Sequence, residues 1–148
     1  VTYGHLDIIR RAGLIFERVV VIVMVNHKKE GVFSIPERVE MLNKVVSDLP
    51  NVTVESSDRL LAALAREKGD CVLVKGLRAI SDFESEFQMA LINRKLNAEL
   101  ETVFLPTSEE YLYLSSSLVK EVCSLGGEIS EFVPAEIVQD VKNRLARG

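Results

Sequence analysis

Long apolar runs, a surplus of positive charge and paired cysteines are all missing from this chain of 148 residues. The longest apolar run, Val19 to Val25, is far too short to cross a bilayer, and no signal peptide is visible, so no membrane partner is expected. Net charge is −4, whereas a general nucleic-acid binder is usually basic. No nucleic-acid partner is expected, and any phosphate site must be local. The two cysteines fall apart in sequence, Cys71 in an apolar strand-like run and Cys123 in a helical one. Both read as small buried hydrophobes in a reducing cytosol, which makes a cytoplasmic protein the expectation. No Cys-x-x-Cys pair or His/Cys cluster suggests a metal site. An initial Met is absent too, and the chain begins almost on a motif, so residues are expected upstream of Val1.

What is present is an ordinary globular composition, 47% hydrophobic and 27% charged. At this length about 70% of the unfolded surface is buried on folding, and one domain over residues 1–148 is expected. Helical and strand patterns alternate. Residues 5–17 place Ile8, Ala12 and Ile15 on one helical face. Val19 to Val25 is a β-branched run suited to a parallel strand covered on both faces. Ser34-Ile35-Pro36-Glu37 reads as a capping box opening a helix with Val39, Leu42 and Val46 on one side. Val52 to Glu55 reads as a strand. Asp58 is expected to cap a helix running to Lys68, stopped by Gly69. Cys71 to Val74 is the next strand. Ser81-Asp82-Phe83-Glu84 reads as a second capping box, with Phe83, Phe87, Ala90 and Leu91 forming its helix face. Thr102 to Leu105 is the last strand, ended by Pro106. A serine-led helix runs to Gly126-Gly127, and a final helix after Pro134 carries Ile137, Val141 and Leu145.

Strands alternating with long helices predict a parallel α/β sheet. Ligands of such sheets sit beyond the carboxyl ends of the strands. The loops after Val25, Glu55, Val74 and Leu105 are therefore expected to line a site, and polar residues concentrate there. Gly4-His5 opens the first helix, where N–H groups and partial positive charge favour an anion. His5 is a candidate donor to phosphate oxygens, and Gly4 lets backbone approach an anion closely. Lys28 and Lys29 follow the first strand, where one of them is expected to bind an anionic group. Lys75-Gly76-Leu77-Arg78 reads as a phosphate cradle of a strand, a glycine and two cations. Ser115-Ser116-Ser117 offers more hydroxyls and N–H groups than a cap requires. A nucleophilic serine is not expected, since no Asp/His pattern accompanies it. Asp82 and Glu84 read as helix-dipole partners.

Thr2-Tyr3-Gly4-His5 and Leu114-Ser115-Ser116-Ser117-Leu118-Val119-Lys120-Glu121 resemble the T/H-x-G-H and I-S-S-S-x-V-K-E motifs of the nucleotidyltransferase superfamily. With Pro36-Glu37-Arg38, Gly76-Leu77-Arg78-Ala79, Asp82-Phe83-Glu84 and Asn93-Arg94 in order between them, nearly the whole chain resembles the bacterial phosphopantetheine adenylyltransferase family. The resemblance implies a Rossmann-like doubly wound parallel sheet of five strands. The first strand and its G-[ST]-F-D-P turn are absent from this sequence, and roughly a dozen residues are expected to precede Val1.

The resemblance also implies a reaction. ATP and 4′-phosphopantetheine, with Mg²⁺, give dephospho-coenzyme A and pyrophosphate. The phosphate of phosphopantetheine attacks the α-phosphorus in line. By resemblance His5 contacts the α-phosphate and Lys29 orients the attacking phosphate. Lys75 and Leu61 join Lys29 in holding phosphopantetheine. Gly4, Gly76, Leu77, Arg78 and Glu86 contact ATP, as do Tyr111, Leu112, Tyr113, Leu114 and the three serines. A homohexamer is implied as well. Lys75 stands where the family usually has arginine, and Ser85 where an aromatic residue is common. Two rivals stay open at this point: a cytidylyltransferase acting on a phosphorylated alcohol, and a non-catalytic nucleotide-sensing domain.

Overall fold

The computed structural model describes residues 1–25 and 31–145. Helices α1 (Tyr3–Ile15), α2 (Ile35–Val45), α3 (Leu61–Lys68), α4 (Ile80–Leu96), α5 (Ser116–Ser124) and α6 (Ala135–Leu145) alternate with strands β1 (Val19–Met24), β2 (Val52–Ser57), β3 (Val72–Leu77) and β4 (Glu101–Pro106) as far as β4. A 3₁₀ turn, Glu109–Tyr111, leads from β4 towards α5. The class is α/β with parallel strands, as the alternation requires.

Among the described residues the four strands form two parallel pairs rather than one sheet. Val19 to Met24 align with Val52 to Ser57, and Val72 to Leu77 with Glu101 to Pro106. Helix α1 packs on both pairs. Ile9 shares an apolar cluster with Val23 of β1, Val52 of β2, and Leu42 and Val46 at α2. Leu6 shares another with Met41, Val119, Ile137 and Val141 from α2, α5 and α6. Ile8 meets β3 at Gly76, where a Cβ would lie 2.7 Å from Ile8 Cγ1. Fully burying each aliphatic side chain is worth about 1.5–3 kcal/mol, so these contacts dominate the placement of α1.

Local chemistry explains several boundaries. Ser34 caps α2 as expected: its Oγ accepts from Glu37 N–H, and Glu37 Oε2 accepts from Ser34 N–H at 2.7 Å. Gly126 takes φ +80° just after α5, a conformation glycine adopts without Cβ strain. Four expectations need correction. Asp58 caps nothing: α3 starts at Leu61, with Leu60 in the cap position and no side-chain cap bond. The second capping box does not form, because α4 begins at Ile80 with Ala79 as its cap residue. Strand β3 runs on through Leu77, so Lys75, Gly76 and Leu77 lie within the strand and not after it. Cys71 is exposed ahead of β3, while Cys123 is buried.

Gly76→Ala tests the approach of α1 to β3. The added methyl must displace Ile8, and such overpacking costs about 1–3 kcal/mol. Denaturant unfolding of the variant should show that loss, and a stability equal to wild type would rule the close contact out.

Candidate active site

The first turn of α1 is built around Thr2 and His5. Thr2 is extended, at φ −117° and ψ 168°, and almost fully buried. Its N–H donates to His5 Nδ1 at 3.2 Å, and its Oγ1 lies 2.8 Å from the same nitrogen. A nitrogen that accepts a backbone N–H carries no proton of its own, so neutral His5 bears its proton on Nε2. Burial, followed by nearby positive charges including Arg78 and Arg38, pushes the His5 pKa down to about 4. The ring is flanked by dense protein yet has an open edge on a cleft, where water moderates that push. His5 is therefore a neutral hydrogen-bond donor near pH 7.

That cleft has a volume of about 490 Å³ and lies between the two strand pairs. Val21 of β1, Gly76 of β3, and Gly4, His5, Ile8 and Ile9 of α1 line it. On another side come Leu114 and Ser115 to Ser117. Ser115 caps α5 by accepting from Leu118 N–H at 3.0 Å. Ser116 and Ser117 N–H groups, at the open end of the helix, have no partner among the described residues. Two helix amino ends thus meet one cavity with their partial positive charge; at α1 Tyr3 N–H donates to the Phe132 carbonyl and His5 N–H to that of Thr2, and the free Ser116 and Ser117 donors belong to α5.

Arg78 completes the donor set. Its Nε and Nη2 donate to Asp82 Oδ2 and Oδ1 at 2.9 and 3.2 Å, and its Nη1 donates to the Leu114 carbonyl at 2.7 Å. The Arg78 guanidinium holds the Asp82 carboxyl below its usual range. Glu86, further along α4, reaches the cleft too. Its Oε2 lies 3.1 Å from Lys75 Nζ, in ion-pair contact but poorly aligned for a hydrogen bond.

The sequence-predicted residues therefore divide. Gly4, His5, Gly76, Arg78, Glu86, Leu114, Ser115, Ser116 and Ser117 share the cleft. Lys75 touches it only through Glu86, and Leu77 points elsewhere in the alternation of β3. Tyr111 stacks on Tyr3 at 6.0 Å, outside the cleft wall, and Leu112 and Tyr113 are exposed beside it. Leu61 opens α3, away from the cleft. Lys29, with Asn26 and Lys28, lies outside the described residues. Gly4 has no positive φ, and a Cβ there would meet only ordinary contacts at 3.5 Å or more. Packing within the chain does not demand a glycine at that position. Sequence reasoning gave no role to Thr2 or Thr107; it placed Asp82 in the first turn of α4, where it is, but missed its pairing with Arg78. Thr2 had a signal, since Thr-x-x-His spans the cap and third positions of a helix as a capping box does.

Residues 1–122 match the model of the cytidylyltransferase-like family. A phosphopantetheine adenylyltransferase of Caldanaerobacter subterraneus subsp. tengcongensis is 49% identical over 148 residues, covering 100% of this chain and 92% of that protein. The Clostridium tetani protein of the same name is 52% identical over 141 residues, covering 95% of this chain and 88% of its own length. That of Alkaliphilus metalliredigens is 51% identical over 144 residues, covering 97% and 92%. The chain belongs to the phosphopantetheine adenylyltransferase family. The cleft, with its two helix amino ends and a fixed guanidinium, is the part of this family member suited to a polyphosphate.

Nitrogen-15 NMR of the His5 ring should find Nδ1 unprotonated and Nε2 protonated down to about pH 4. Between pH 6.5 and 4 the unfolded chain binds more protons at this residue than the folded one. Stability should therefore fall as pH drops through that window. A ring titrating near pH 6.5 in the folded protein would contradict the assignment.

Proposed function

We propose that this chain transfers the adenylyl group of ATP to 4′-phosphopantetheine, giving dephospho-coenzyme A and pyrophosphate in coenzyme A synthesis. The observation that carries the reading is the convergence of His5, Arg78 and the Ser116–Ser117 amides on one cleft, in a chain about half identical to relatives named for this reaction.

An oxygen of the substrate phosphate attacks the α-phosphorus of ATP. The new O–P bond forms as the bond from the α-phosphorus to the bridging oxygen of pyrophosphate breaks. A phosphate monoester is already nucleophilic near neutral pH, so no protein base is required. Catalysis then rests on placement and on donors aimed where charge develops. Neutral His5 donates from Nε2 to an α-phosphate oxygen. Arg78 and the amino end of α5 take the triphosphate, with Gly4 leaving room for it and the Gly76 backbone on the cleft wall. Glu86 and the Leu77 backbone belong to the nucleotide side in this reading, as do Tyr111 to Leu114. Lys29 orients the attacking phosphate, while Lys75 and Leu61 bind the phosphopantetheine. Lys75 must first exchange Glu86 for its ligand. A lysine brings a point charge without the paired donors of arginine.

Mg²⁺ would come with ATP and would supply positive charge to its phosphates. Among the described residues no three His, Cys, Asp or Glu side chains converge, and Asp82 and Glu86 are taken up by cations. This donor set fits a metal carried by the nucleotide better than one caged by protein. Two unpaired thiols support a reducing, cytosolic compartment.

Self-assembly, as a homohexamer, is part of the proposal. On α4, Ile80, Phe83, Phe87, Met89, Leu91 and Ile92 are all at least 42% exposed. Apolar residues around a whole helix imply cover on more than one side. The expected apolar face of Phe83, Phe87, Ala90 and Leu91 is not a single stripe: apolar side chains surround α4, and this chain alone does not bury Phe83, Phe87 or Leu91. A second copy is the cover we propose. Leu91→Glu should then leave a folded chain of lower mass by light scattering, and an unchanged mass would exclude this surface from the assembly.

Pyrophosphate release from ATP and 4′-phosphopantetheine with Mg²⁺ is the direct test. His5→Ala should cost about 10²–10³ in rate, as loss of one oxyanion-type donor does. A preference for CTP, or a folded chain that binds ATP without turnover, would overturn the reading.

A further inference from the structure

Arg78 sits between the end of β3 and the start of α4, and Asp82 lies one helical turn on. The hydrogen bonds around them are nearly complete. Asp82 Oδ2 accepts from Arg78 Nε at 2.9 Å and from Arg78 backbone N–H at 3.3 Å, while Oδ1 accepts from Nη2 at 3.2 Å. Nη1 donates to the carbonyl of Leu114, a residue that is fully buried immediately before the three serines. Nε, Nη1 and Nη2 are thus each anchored by protein, and of the five guanidinium N–H groups two remain for a ligand. Asp82 does not simply complement the dipole of α4, because it fixes the plane of the cation.

An unanchored arginine on a cleft wall must lose its rotamer freedom when a phosphate binds. Here that ordering precedes the ligand, which is how preorganisation improves binding and positioning. The bond to Leu114 has a second effect. It ties the cation to the segment that presents the Ser116 and Ser117 amides, so their separation is preset. A carboxylate near an anion site also opposes the anion, and Asp82 is tolerable there because three donors from Arg78 engage it.

We propose that Asp82 is a positioning residue: through its ion pair it holds the Arg78 guanidinium against the Leu114 carbonyl, so that the cation and the amino end of α5 meet the triphosphate as one preset unit. This rests on the reading of the cleft as the ATP site.

The test is a double-mutant cycle on the full chain, with steady-state kinetics and a thermal unfolding curve for each variant. Asp82→Ala should lower kcat/KM for ATP by about 10- to 100-fold, the scale of a small misplacement. KM for phosphopantetheine should stay within about twofold of wild type. In the Arg78→Ala background Asp82→Ala should cost nothing further, because a residue that acts through Arg78 has nothing left to position. Losses that multiply in the double variant would overturn the proposal, as would an Asp82→Ala enzyme equal to wild type. Asp82→Asn, which keeps the volume and loses the charge, is read in the same way if Asp82→Ala does not fold. Failure of both to fold would assign Asp82 to the fold instead. Arg78→Ala at wild-type rate would instead remove the ATP reading of the cleft itself.

Discussion

The geometry of the cleft depends on one helix fitting between two strand pairs that share no hydrogen bond among the described residues. Helix α1 presents a different apolar side chain to each neighbour. Leu6 goes to α2, α5 and α6, Ile9 to β1, β2 and α2, and Ile8 to Gly76 of β3. Polar contacts fix its axial position as well. Asp7 accepts from Ser108 N–H at 3.1 Å and Ser108 Oγ at 2.9 Å, and Arg11 donates to the carbonyl of Pro106. The exit of β4 is thus held against α1, as is the glycine in β3. Once α1 is seated, His5 and its backbone donors have no freedom to drift from Arg78 or the serine turn.

The cleft presents oriented dipoles more than net charge. His5 is neutral, Arg78 is matched by Asp82 and Lys75 by Glu86. What remains unpaired is a set of N–H donors: two at α5, two on the guanidinium and one on the His5 ring. Such donors stabilise an anion without reorganising, which is the condition under which they act most strongly on a transition state. The chain as a whole is acidic, so in the proposed reading a polyphosphate would be drawn by this local arrangement and not by a long-range field.

The sequence was legible where local and tertiary signals agreed. The β-branched run Val19 to Val25, the Ser34 box and the spacing of Ile137 and Val141 each had one physical solution, and β1, α2 and α6 follow them. The Gly-His and triple-serine motifs were legible as anion donors because a helix amino end offers the same groups in any fold. Misreadings arose where a local rule met a stronger constraint. Ser81-Asp82-Phe83-Glu84 has capping-box spacing, yet α4 already starts at Ile80 with Ala79 in the cap position, and the Arg78–Asp82 pair ties its first turn to the end of β3. Gly76 was expected just after its strand, but parallel pairing with Leu105 carries β3 past it, and its missing side chain makes space for Ile8. The Asp82–Leu114 relay had no sequence signal, since it joins residues far apart in the chain.

Helix α4 brings the remaining features together. It supplies Asp82 and Glu86 to the cleft, while much of its apolar surface has no cover from its own chain. A helix so placed gains little from burial, so its position relies on a few specific tethers. These are the two ion pairs at the cleft, the contact of Phe83 on Phe104 at 5.8 Å, and Arg94 with Glu101 at its far end. Two of these four tethers involve the residues assigned to ligands. Any cover that immobilises α4 therefore also steadies Asp82 and Glu86, and any ligand that draws Lys75 away from Glu86 loosens one anchor of the exposed helix. In the proposed reading, assembly and ligand binding would act on the same element, and the free energy of each would be felt by the other through α4.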